Sequence, residues 1–335
     1  MATISDVAKL SGMSVATVSR VINNRPHVSD ARKKKVLDAM EQLGYQPMQA
    51  ARQLRGSGSD TIAVTVPTLT NPFFAYLVNA IEQTCREQGY KTLISQTYGE
   101  MKSEEDALRM LGLHHADGII LCALENDWSR IKQFGKDGKL VVCNEYYADD
   151  SISMIYAKQY EGFSKATRYL LEKGYQKIAY CTGAASITMQ SVGRNINSDR
   201  YLGFVDTMTE AGRAVNPGFV FKHVLDLEAG RRIMAQMLEN TDRPDAVIAG
   251  SDEVATGMLM EALARGVDVP KEIGIVGVDD QPLSQYLQKP LTTIRQPVVD
   301  EGREAAKELL KQIQGTETEP IRKELDLELV IRGTA

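Results

Sequence analysis

A chain of 335 residues with 43% hydrophobic and 25% charged residues exceeds one ordinary compact unit, since single domains mostly run ~100–200 residues. Its apolar runs fall short of the ~20 residues a membrane span needs, and the N-terminus, MATISDVAK, lacks the apolar core of a signal peptide; a cytoplasmic protein with no membrane partner is expected. The net charge of −5 is unevenly spread: residues 1–58 hold nine Lys/Arg against four Asp/Glu, the rest 30 against 40, so a basic head suited to a polyanion precedes an acidic body.

The first 45 residues read as three short helices, each opened by a capping residue. Ser5 precedes DVAKL, Ser14 precedes VATVSRVI, and Ser29-Asp30 precedes ARKKKVLDAMEQLGY, which Gly44 can stop. Val7, Ala8, Leu10, Val15, Val18, Val21, Ile22, Val36, Leu37, Met40 and Leu43 recur at helical steps, so one miniature core is expected to join them. The turn Ser11-Gly12-Met13 between the first two helices fits a helix-turn-helix. Residues 46–60 read as a hinge: Pro47 breaks the chain, MQAARQLR has room for one or two helical turns, and GSGSD is flexible. So short a helix needs DNA or a partner chain to hold it.

From Asp60 on, apolar runs (TIAVTVP, KTLIS, DGIILCA, KLVVCN, KIAYCT, DAVIAG, EIGIVGV) alternate with helical stretches (FFAYLVNAIEQTCREQ, EGFSKATRYLLEK, RYLGFVDTMTEAG, EAGRRIMAQMLEN, EVATGMLMEALARG). That alternation predicts parallel sheets covered on both faces, in two Rossmann-like subdomains across a cleft. Cys85, Cys122, Cys143 and Cys181 form no CxxC pair and read as buried reduced thiols. Four histidines without HExxH leave no expected metal. No phosphate loop, dinucleotide fingerprint or nucleophile elbow occurs, so neither an enzyme nor a cofactor is expected.

The helix-turn-helix carries the most chemistry. Short side chains on the first turns of the second helix can approach base edges in a major groove: Val15 and Ala16 suit a thymine methyl, Arg20 a guanine, and Ser14, Thr17, Ser19 and Asn23 the phosphates. The stretch from Thr3 to Leu54 strongly resembles the DNA-binding head of the lactose/galactose repressor family, and VATVSRVINN is similar to the recognition helix of its galactose-regulator members. The resemblance implies that Val15, Ala16 and Arg20 read bases, that His27 reaches the half-site, and that Ser14, Thr17, Ser19, Asn23 and Tyr45 hold phosphates, with Thr3 also facing DNA. It further implies that Leu54, with Ala51 beside it, wedges between central base pairs of the minor groove. Met48 stands where many relatives carry Asn.

The body resembles the family's periplasmic-binding-protein-like core through IAVTVPTLTNPFFAYL, EGFSKATRYLLEKG, AGSDEVATGMLMEAL and VPKEIGIVGVDDQPLSQYLQKPLTTIRQP. The implied architecture is α+β multidomain: an all-α head over residues 1–46, a hinge helix and linker over 47–60, and a core over 61–335. Three crossings, near residues 158, 290 and 318, divide that core into an N-subdomain (61–158 and 291–318) and a C-subdomain (159–290 and 319–335). The implied ligand residues are Arg200 of RYLGF and Asp279 of VGVDD, with Phe73 and Phe74 as an aromatic wall and Asp252 at a GxD position. Such groups suit hydroxyl-rich or anionic small molecules. Ala157 and Leu225 depart from an expected aspartate and a frequent aromatic, and AASITMQSVGRNINSD, which carries Arg194, is longer than usual.

The expected protein is a homodimeric bacterial repressor at the nucleoid, binding double-stranded operator DNA and controlled by a sugar-like effector. The alternatives are a regulator that senses a protein partner and a small-molecule binder with a vestigial head.

Overall fold

The computed structural model describes residues 2–22, 26, 28–45, 58–136, 139–187, 195–316 and 319–335. Contacts divide the chain into two compact units, Met1–Ser59 and Asp60–Ala335.

The head unit holds α1 (Ile4–Ser11), α2 (Val15–Ile22) and α3 (Asp30–Gln42). Thr3, not Ser5, caps α1: its Oγ1 accepts from the Asp6 amide at 3.3 Å while the Asp6 carboxylate accepts from the Thr3 amide at 2.8 Å. This reciprocal pair satisfies two amides that helix geometry leaves open. Gly12 ends α1 in the left-handed region at φ 68°, and Ser14 opens α2 by accepting from the Thr17 amide at 3.2 Å. Val7, Ala8, Val18, Val21, Val36 and Ala39 form the buried core. Leu10, Val15 and Leu37, expected within it, are instead 49%, 43% and 47% exposed. Leu37 is one step from buried Val36 and so is turned by about 100° away from the seam.

The body contains two six-stranded sheets. The first runs in the order β11-β5-β4-β3-β1-β2, from β1 (Thr61–Val66), β2 (Lys91–Gln96), β3 (Gly118–Leu121), β4 (Leu140–Cys143), β5 (Ser153–Ala157) and β11 (Arg322–Leu325), all parallel. The second runs β12-β10-β9-β8-β6-β7, from β6 (Ile178–Cys181), β7 (Val220–Phe221), β8 (Ala246–Ile248), β9 (Gly274–Asp279), β10 (Thr292–Arg295) and β12 (Glu328–Val330). There β12 alone is antiparallel to its neighbour, β10. Strands such as GIIL, LVVC and IAYC are buried at every position, as expected where helices cover both faces.

On the first sheet, α4 (Pro72–Glu87) and α11 (Val298–Gln314) pack Leu77, Ile81, Ala305 and Leu309 on Ile62, Val64 and Ile120. The opposite face takes α5 (Met101–Gly112) and α6 (Trp128–Gly135) through Leu108, Trp128 and Ile131. On the second sheet, α7 (Gln159–Glu172) and α8 (Ile196–Glu210) cover one face with Phe163, Leu170 and Phe204. Its other face is covered by α9 (Leu227–Glu239) and α10 (Asp252–Ala264) with Met234 and Met258. All four cysteines are buried free thiols.

The chain passes between the sheets three times. It leaves the first sheet after Ala157 and returns between Arg295 of β10 and Val298 of α11. It crosses again between Leu325 and Glu328. The crossings expected near residues 290 and 318 are thereby corrected: β10 pairs with β9 in the second sheet and β11 with β5 in the first. β10 and β11 are four-residue strands with little local signal: β10 stays with the strand before it, β9, whereas the partner of β11, β5, lies far back in the sequence.

Candidate functional site

In the head, α2 shows two faces. Val18 and Val21 are buried, Ser14, Val15, Ala16 and Arg20 are exposed, and Thr17 and Ser19 are half-buried. A helix held by its valines thus presents two short apolar side chains and one guanidinium to solvent. The Ser14 and Thr17 hydroxyls lie 2.9 Å apart, and half-buried Tyr45 packs against the head core. Thr3 is exposed but committed to its capping pair. Asn23, His27, Ala51 and Leu54 lie outside the described residues.

In the body, the candidate residues follow the C-terminal ends of parallel strands, where doubly wound sheets bind ligands. Arg200, in α8, donates from Nε to Gln159 Oε1 at 2.8 Å and lies 5.4 Å from the Phe163 ring centroid. The Gln159 amide donates to Gln296 Oε1 at 2.9 Å, and the Gln296 amide donates to Asp279 Oδ1 at 2.9 Å. Arg200 and Asp279 are therefore joined through two buried glutamines. Both glutamines sit on crossing segments, which are also tied where the Lys158 amide donates to Leu325 O at 2.9 Å.

Asp279 ends β9 at φ 110°, followed by Asp280 at φ 55°. Two successive non-glycine residues in the left-handed half of backbone space are strained, and the surroundings must hold them there. Asp280 supplies part of that hold, pairing with Arg295 at 2.7 Å and Arg332 at 2.6 Å. Burial, reinforced by neighbouring Asp252, pushes the Asp279 carboxyl up to about 7, against the opposing pull of Gln296 and Arg200.

The other expected ligand residues separate from this chain. Asp252 is turned inward, where its carboxylate accepts from the Gln281 amide at 2.7 Å and from the Ser284 and Thr293 hydroxyls at 2.5 Å each. Burial raises it to about 6. Its acceptors are spent on the protein, so it positions the loop after β9 and does not face a ligand. Phe73 is in the first sheet's core, and Phe74 is half-buried edge-on to it at 5.2 Å. Ala157 is buried and Leu225 is 64% exposed. Arg194 lies outside the described residues.

Several residues at the cleft were not read from sequence. A cavity of about 560 Å³ is walled mostly by the first subdomain, through Glu125, Trp128, Glu145 and Tyr146 among others, and meets the second at Asn195. Tyr146, from the loop after β4, donates its hydroxyl to Asp199 of α8 at 2.5 Å, a strap from one subdomain to the other. Glu301, in the first turn of α11, is wholly buried. Its signal was available: Glu301 falls in helical register with Val298, Ala305 and Leu309, a charge within an apolar stripe.

A helix-turn-helix head and a two-subdomain cleft in one chain define the architecture of a ligand-responsive DNA-binding regulator. Comparison with known proteins makes this specific. Residues 3–48 match the model for bacterial regulatory proteins of the lacI family, and residues 167–335 match a periplasmic binding protein-like domain. The chain is 32% identical over 315 residues to the NTD biosynthesis operon regulator NtdR of Bacillus subtilis, covering 94% of each. Among solved structures, it is similar to the lac repressor dimer bound to operator and the anti-inducer ONPF (TM-score 0.84, 26% identity, covering 99% of this chain and 98% of that one). It is also similar to a LacI family regulator from Lactobacillus casei with bound sucrose (TM-score 0.73, 32% identity, covering 82% and 99%). The chain belongs to the lacI family of bacterial regulatory proteins.

Proposed function

We propose that this chain is a homodimeric transcriptional repressor that binds a pseudo-palindromic operator through α2 and is controlled by a small molecule held between Arg200 and Asp279. The observation that carries the DNA reading is the division of α2, with its valines buried and Val15, Ala16 and Arg20 presented together. Two heads on a two-fold axis read half-sites one helical turn apart. The lac repressor complex, solved as a dimer on operator, supports this mode. The sucrose bound to the Lactobacillus casei regulator supports a hydroxyl-rich effector. The chain then works in the bacterial cytoplasm, as a regulator and not a catalyst.

Selection of bound sites from a random DNA pool tests the reading; enrichment of no two-fold site would sink it. Arg20→Ala should lower affinity for the selected site by about 1–3 kcal/mol and relax preference at one base position, with non-specific binding measured alongside by gel shift. Asp279→Ala should abolish the ligand response in that assay and leave operator affinity close to that of the unaltered chain. By the family resemblance, Leu54→Ala should weaken specific binding while sparing non-specific binding, and equal loss of both would refute the wedge.

A further inference from the structure

Beyond the Arg200–Asp279 chain, the segment behind Glu145, which lines the cavity, carries acceptors that the described residues leave unanswered. β4 runs out through Cys143 into Asn144 and Glu145, and the first turn of α11 packs against this exit, with Cys143 Sγ 3.9 Å from the Glu301 carbonyl oxygen. Glu301 has 0% of its surface exposed, and neither of its carboxylate oxygens has a hydrogen-bond donor among the described residues. The Asn144 amide lies against the Glu301 carboxyl but is already given to Ile155 O at 2.9 Å. Asn144 itself sits at φ 64°, and its Oδ1 is likewise buried without a donor.

Three acceptor atoms on adjoining residues therefore share one need. A buried carboxylate without a donor bears its full desolvation penalty unless a cation or a proton relieves it. The charges that act on it are the Arg200 guanidinium, which opposes the penalty, and Glu145, which adds to it. Arg200 spends its Nε on Gln159. Burial pushes Glu145 and Glu301 each up to about 8, and Glu125 adds a further negative charge beside Glu145. A sugar hydroxyl offers one donor and two acceptor lone pairs, whereas an ammonium offers three donors, no acceptor and the compensating charge. Partly buried Phe74 and Val298 pack on the same cluster as Cys143, which favours a ligand with apolar C–H surface beside its polar group.

We propose that the effector carries a primary amine, docked as an ammonium on Glu301 and Asn144, so that the cleft selects an amino sugar or a related amine-bearing polyol. This rests on the cleft being the effector site.

The test uses the full chain and matched sugars: D-glucose, D-glucosamine and N-acetyl-D-glucosamine, the same triplet on galactose and mannose skeletons, and trehalose with its monoamino analogue. Thermal shift and calorimetry are run at pH 6 and pH 8. Free-amine members alone should raise Tm. Their affinity should increase from pH 6 to pH 8, because over this range the carboxylate fraction of Glu301 grows by a larger factor than the ammonium fraction of an amine titrating near ~8 shrinks. Glu301→Gln supplies a donor where the acceptors lack one, so it should remove the amine preference and raise the ligand-free Tm by about 2 °C or more. The proposal is overturned if neutral or N-acetylated members bind as well as the amines, if no free amine shifts Tm, if Glu301→Gln keeps the preference, or if it lowers the ligand-free Tm. Asp279→Ala separates the two failures. Neutral sugars that stabilise the unaltered chain but not Asp279→Ala leave the cleft reading standing without the amine. Equal behaviour of both chains towards every sugar removes the cleft reading as well.

Discussion

Asp252, Asp279, Glu145 and Glu301 hold their protons to about 6, 7, 8 and 8 because the folded body withholds water from them. The unfolded chain gives those protons up near ~4. Above that pH the native state binds more protons than the unfolded one, so stability falls as pH rises towards 8. Thermal denaturation of the ligand-free chain should accordingly show Tm declining between pH 5 and pH 8, with a shallower decline in Glu301→Gln; a Tm that rises over this range would contradict the buried-acid assignment. Asp252 behaves differently on removal, since its carboxylate answers three donors. Asp252→Ala orphans buried groups that cost about 1–3 kcal/mol each, and urea denaturation should register a loss above about 2 kcal/mol. At this scale Arg200 and Asp279 were picked out in the sequence by the family resemblance, because they stand in recognisable motifs. Gln159 and Gln296, the links between them, were not legible, because their positions are 137 apart in sequence and only the crossings bring them together.

Between elements, close helix pairs depend on glycine. A Cβ on Gly257 of α10 would stand 2.0 Å from Leu227 O at the start of α9, and one on Gly230 of α9 would stand 2.2 Å from Val254 O. The same close approach joins α7 and α8, where Gly203 faces Tyr160 O at 2.3 Å. Backbone, not a flexible side chain, meets the added carbon in each case. Gly257→Ala should therefore cost about 1–3 kcal/mol by forcing α9 and α10 apart, read as a lower urea midpoint. The strands that were legible are β1, β2, β3, β4, β6, β8 and β9; all but the edge strand β2 are buried at nearly every position. The edge strands β11 and β7 were not legible: β11 alternates exposed and half-buried as RKEL, and β7 has two residues. α5, α6 and α11 were also passed over, since MKSEEDALRMLG and VVDEGREAAKELLKQIQ bury their apolar residues in stripes diluted by charge.

At the scale of the molecule, charge and connectivity divide the labour. The head carries the positive excess and the body the negative, so affinity for DNA should fall steeply with salt. With 6–10 phosphates contacted, about 10³–10⁵-fold is lost between 50 and 200 mM salt; a flat dependence would argue against phosphate contact. The hydrogen-bonded chain from Arg200 to Asp279 runs through Gln159 and Gln296, the side chains of the crossings themselves. A ligand that takes over either end must rearrange side chains at the pivot, which gives the cleft a physical route to subdomain rotation.

The three crossings have a further consequence during synthesis. The first sheet lacks its edge strand until residues 322–325 have been made, and the second lacks β12 until residues 328–330 follow. Thr334 then locks the second sheet, donating to Ile275 O at 2.7 Å and accepting from the Thr292 amide at 2.9 Å. Neither subdomain can finish ahead of the other on the ribosome, although domains usually fold as units with the N-terminal one first. The nascent body must keep two incomplete sheets soluble until residues 322–334 emerge, and then both close almost together.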